Sequence, residues 1–111
     1  MALIRTGGGA AANFGYENLE SNYQLANSTD VPKSFTLKKG EVLIIRRDGS
    51  NTSGNVTISN IVNGTLYGSS TGVTGNNIVC IQASADGACG ATFRQAISSD
   101  IYLGFAKFGE V

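Results

Sequence analysis

Residues 34–47 read SFTLKKGEVLIIRR, and the fold class turns on how this stretch is read. Phe35 and Leu37 alternate with Ser34 and Thr36, the period of an extended strand with one apolar face. Lys39-Gly40 then breaks the run, and EVLIIRR resumes with four consecutive apolar residues, Val42, Leu43, Ile44 and Ile45. Neither run is long enough for an amphipathic helix, and β-branched side chains favour a pleated surface. The reading is strand, turn, strand.

The pattern continues outward in both directions. Downstream come VTISNIV, TLYG, NIVCIQAS, CGATFRQA and DIYLGFAKF, separated by Asp48-Gly49, Asn63-Gly64, the loop SSTGVTGN and Asp86-Gly87. Short runs rich in Val, Ile, Thr and aromatic residues, spaced by turn chemistry, predict an all-β antiparallel sandwich of jelly-roll-like type. Asn63-Gly64 is the strongest two-residue hairpin signal. Upstream, Pro32 holds the preceding residue extended and marks the expected boundary between an N-terminal arm, residues 1–30, and a sandwich domain, residues 31–111. Within the arm, residues 17–25 (ENLESNYQL) have room for two helical turns.

At 111 residues the chain holds one domain with a small core. Eight basic and eight acidic residues cancel. That balance argues against nucleic acid or an anionic membrane surface as partner. No stretch approaches the roughly 18 apolar residues of a membrane span. Arg5 follows the apolar residues of the opening MALI instead of preceding them, so no secretory signal is expected.

Cys80 and Cys89 are expected as free, buried thiols. A tight hairpin on Asp86-Gly87 pairs Ser84 with Cys89 and leaves the two sulfurs roughly 13 Å out of register. A disulfide needs Cα atoms within about 7 Å, so a bridge would require a longer turn.

Three strands carry apolar residues on both faces: residues 42–45, residues 78–81, and the run Ile101, Tyr102, Leu103 and Phe105. A two-layer interior accepts one face of each strand. Covering 400 Å² of the other face is worth roughly 10 kcal/mol before association costs are subtracted. Two coverings are open. The leader, through Leu3, Ile4, Phe14, Tyr16, Leu19, Tyr23 and Leu25, lies over its own sheet, or identical subunits pack through Val42, Ile44, Val79, Ile81 and Tyr102 while the leader, with Leu3, Ile4, Phe14, Tyr16 and Leu19 as its attachment residues, reaches a neighbour. The alternative for residues 1–30 is a disordered leader.

Catalytic chemistry finds no foothold. There is no histidine, hence no imidazole base, His-ligated metal or standard triad. The carboxylates form no selected pair, and Asp48 and Asp86 have turn roles. GSSTGVTG lacks the Lys-Ser/Thr ending of a phosphate loop. Arg46 and Arg47 point to opposite faces and read as a solvated strand end or an interface ion pair. No cofactor and no metal are expected.

The leader MALIRTGGGAAANFGY, the strand–turn–strand SFTLKKGEVLII, the polar loops and the closing strand DIYLGFAKF together resemble the small accessory proteins of tailed-bacteriophage virions. These are the decoration, head-fibre and tail-fibre modules. The resemblance implies a non-enzymatic protein assembled in the host cytoplasm into the virion. It further implies a homo-oligomer, a trimer first, attached through its arm to capsid or tail proteins. The alternative is a carbohydrate- or receptor-binding sandwich that meets a host-surface glycan with loop residues Asn51, Asn55, Thr71 and Asn76.

Overall fold

A computed structural model describes residues 13–51, 53–69, 72–74, 77–96 and 100–110 of the chain. Eight strands follow one another: β1 (Phe14–Gln24), β2 (Val31–Leu37), β3 (Val42–Asp48), β4 (Thr57–Val62), β5 (Gly64–Tyr67), β6 (Val79–Ala83), β7 (Gly87–Arg94) and β8 (Tyr102–Glu110). They form a five-stranded sheet in the order β1-β8-β3-β6-β5 and a three-stranded sheet in the order β2-β7-β4. Every ladder is antiparallel. The pairings β1 with β8, β2 with β7 and β3 with β6 are nested like a ribbon folded at its middle and wrapped on itself. That is the jelly-roll arrangement of a β-sandwich, as the strand pattern predicts.

Strand parity builds the core. In β3, Leu43 and Ile45 point inward, while Val42, Ile44 and Arg46 alternate outward. Leu103 and Phe105 do the same from β8, and Val79 and Ile81 from β6. Across the gap, Phe105 meets Phe35 of β2 at 5.0 Å between ring centroids and Phe93 of β7 at 5.5 Å, edge to face. At the open side of the layers, the Lys33 ammonium sits 4.1 Å from the centre of the Tyr23 ring and 2.6 Å from Glu20 Oε1.

Several local expectations are corrected, for one shared reason. Every connection except β5–β6 carries the chain from one sheet to the other. Asn63-Gly64 is therefore a corner, not a hairpin. Asn63 takes φ +57° and its side-chain amide donates to Ala85 O at 2.8 Å. Asp86-Gly87 likewise joins opposite sheets, so Ser84 does not pair with Cys89. Cys89 faces Phe35, Cys80 faces Ile44 and Tyr67, and both thiols are free; Cys89 is buried as expected, whereas Cys80, on the outward parity of β6, is only half-buried.

Residues 17–24 are strand, not helix. They pair with β8 through two irregularities, between Asn18 and Glu20 and between Glu20 and Tyr23. Of the residues read as an arm, 14–24 are thus an edge strand of the larger sheet.

Candidate functional site

The outer face of the five-stranded sheet is the feature that the fold leaves unexplained. The registers place its side chains in rows. One row runs Tyr16, Phe108, Val42, Gln82, Thr65 across β1, β8, β3, β6 and β5. The next runs Asn18, Ala106, Ile44, Cys80, Tyr67. Beyond these, Phe14 begins β1, Ile78 precedes β6 and Tyr102 opens β8. Among the described residues, six large apolar side chains are exposed, and all but Val62 belong to this face: Phe14, Tyr16, Tyr67, Ile78 and Phe108, each 40–58% exposed.

The face is electrically neutral where it is polar. Gly104 has no Cβ, and the Arg46 side chain lies over it. From there the guanidinium donates to Asp48 Oδ1 (2.9 Å), Asn18 Oδ1 (3.0 Å), Tyr16 Oη (3.2 Å) and Ser21 Oγ (3.3 Å). Asp48 in turn accepts the Asn22 amide at 2.8 Å. One arginine of the central strand thereby grips the edge strand across β8.

The two ends of the sheet are closed by buried charge. At one, Glu41 is only 5% exposed and accepts the Lys38 amide (2.8 Å), the Glu110 amide (2.8 Å) and Lys107 Nζ (3.3 Å). Burial alone would raise its pKa, but these donors outweigh burial and hold the carboxyl below its ordinary value. At the other end Arg47 points into the interior. Its two terminal nitrogens donate to the carbonyls of Asn51, Ser53, Gly54 and Val73 at 2.9–3.1 Å, and Nε finds no partner among the described residues. Burial lowers its pKa. The expected solvated strand end thus holds for neither arginine: Arg46 is engaged on the outer face and Arg47 is interior.

The sequence-derived self-association set divides by parity. Val42, Ile44 and Tyr102 lie on the outer face, whereas Val79 and Ile81 are fully interior. An apolar run alone does not say which alternate residues turn inward. Of the arm set, Phe14 and Tyr16 are on the outer face, and Leu19 packs against the core. Leu3 and Ile4 lie outside the described residues. Phe108 was not singled out by the sequence reading, although its even spacing from Tyr102 along DIYLGFAKF carries the signal.

The loop set is dispersed. Asn51 is engaged by Ser53, whose amide and hydroxyl donate to its Oδ1 at 3.1 and 2.7 Å. Asn55 lines an open cleft of about 450 Å³ with Gly54, Thr57, Arg94, Gln95 and Ala96. Thr71 and Asn76 lie outside the described residues.

Among the described residues no group of three His, Cys, Asp or Glu side chains is placed to hold a metal ion. Nor, among the described residues, is any helix long and apolar enough to cross a membrane. Burial pushes both thiols above their ordinary pKa, which disfavours the nucleophilic thiolate. Compared with models of known families, with curated proteins and with solved structures, the chain matches none.

Proposed function

We propose that this protein is a non-enzymatic structural component of a virion, a capsid-decoration or fibre module. In this reading it associates with itself through its sandwich and attaches to capsid or tail proteins through the segment that precedes β1. One observation carries the reading: a five-stranded sheet whose outer face presents Phe14, Tyr16, Tyr67, Ile78 and Phe108 to water. Contiguous apolar surface of this kind marks an interaction site in a soluble protein. Its charged residues are already paired with one another, which suits a permanent packing surface better than a substrate site.

Jelly rolls serve in viral capsids and in lectins alike, so the fold supports this reading without selecting it. A second reading, a small glycan- or receptor-binding module, draws on the cleft beside Asn55, Thr57 and Arg94. No aromatic ring lines that cleft to stack on a sugar.

The test is attachment. Protein lacking residues 1–13 keeps all of β1 and is expected to fold, to self-associate, and to lose co-sedimentation with virus particles. A truncated protein that still co-sediments fully rules out attachment through the leading segment. A full-length protein that stays a single copy at high micromolar concentration rules out the assembly role.

A further inference from the structure

We infer that the occupant of the outer face is a second copy of this chain, packed face to face about a two-fold axis that runs across the strands. The inference rests on the self-association reading and specifies its interface. Five strands at ~4.8 Å and about seven residues at ~3.4 Å give a face of roughly 24 by 24 Å. With the relief of protruding rings, that approaches the roughly 800 Å² per partner of a standard stable interface.

Shape favours a pair. All sheets twist with the same hand. A twisted face turned over about a two-fold axis in its own plane meets the original with near-constant separation, close to the ~10 Å of packed sheets. Such an interface is isologous and closed.

Running the axis across the strands, between the row of Val42 and the row of Ile44, sets each strand over its own copy with the rows exchanged. Large then meets small. Tyr67 falls over Thr65 of the second copy, Tyr16 over Asn18, and Val42 over Ile44, while Phe108 falls over the position of Ala106, which its own neighbours cover completely. Arg46 falls one row beyond this block and so avoids its own counterpart. An axis along the strands would instead oppose Arg46 to Arg46. The chain's zero net charge adds no long-range repulsion between copies.

Analytical ultracentrifugation of the full chain and three variants decides the matter, with circular dichroism to check folding. The wild type is expected at the mass of two copies. Ile44→Glu, at the centre, is expected to weaken pairing at least a hundredfold. Val62→Glu, on an exposed residue of the other sheet, should change it less than threefold. Phe108→Ala should weaken pairing about tenfold or more.

Three copies that dissociate with Ile44→Glu would overturn the two-fold pair and leave self-association standing. A pair indifferent to Ile44→Glu and to Phe108→Ala would do the same. A single copy at all concentrations would overturn both. A single copy that pairs only when residues 1–12 are removed would assign the face to the chain's own leading segment and also overturn the inference.

Discussion

Glu41 and Arg47 are single side chains that close opposite ends of the larger sheet by opposite means. Glu41 collects two backbone amides and one ammonium, so its charge is met in full. Replacing it with Gln keeps the shape and discards the charge-assisted bonds. The expected cost is about 1–3 kcal/mol at pH 7, read from urea unfolding. The pH dependence has a definite sign. Its folded pKa lies below the ordinary 4.5. The unfolded chain therefore takes up the proton first as pH falls. The contribution is complete above the unfolded pKa and disappears as pH drops below about 4.5 and on through the folded pKa. Wild type and Glu41→Gln should accordingly converge in stability as pH falls through that window, and parallel curves would refute the assignment. Arg47 has no carboxylate at all and spends four donors on carbonyls of two loop segments. Lysine lacks the planar fork that reaches four carbonyls at once. Arg47→Lys is expected to lose about 2–4 kcal/mol, with faster amide exchange in residues 53–56 and 72–74. Neither burial was legible in the sequence. EVLIIRRDG shows charged residues at a strand's ends, where solvent is the ordinary expectation. Only the nested wrapping, which brings residue 110 beside residue 41, creates the enclosure.

Among the elements, β1 shows most plainly what local sequence can and cannot tell. ENLESNYQL has no clean alternation because its pairing with β8 is interrupted twice, and Asn22 takes φ +55° at the second irregularity. Period-based reading fails wherever a bulge resets parity. The strand's identity comes from β8, some eighty residues away, and from the Arg46 grip. Removing that grip with Arg46→Ala should speed hydrogen exchange at residues 16–22 severalfold while leaving β6 unchanged. A uniform change across all strands would mean that Arg46 supports the whole sandwich, not the edge. The corners failed for a related reason. Asn63-Gly64 and Asp86-Gly87 were correctly recognised as places where the chain reverses, since positive φ is needed there. A reversal within a sheet and a crossing between sheets use the same residues. Only long-range pairing distinguishes them. The β-character of residues 34–47 and of the closing strand was legible because those strands alternate or are strongly apolar over a sufficient length.

At the scale of the whole molecule, the excess of apolar strand surface is legible in the sequence, because residues 42–45 and 78–81 leave no polar face for water. Which face would be left bare was not readable. It depends on the division into five strands and three, so that the larger sheet presents more outer surface than the smaller. This imbalance gives the last prediction. If apolar contact on a neutral face drives assembly, association should carry a negative heat-capacity change. It should also vary less than about threefold between 50 and 500 mM salt, since screening acts on exposed charges and the face has none left unpaired. Assembly led by charge would behave in the opposite way, weakening steeply with salt. Calorimetric dilution at several temperatures and two salt concentrations separates the cases. Strong salt dependence would move the contact away from the rows around Ile44 and toward the exposed ion pairs at Lys38–Glu110 and Arg94–Asp30.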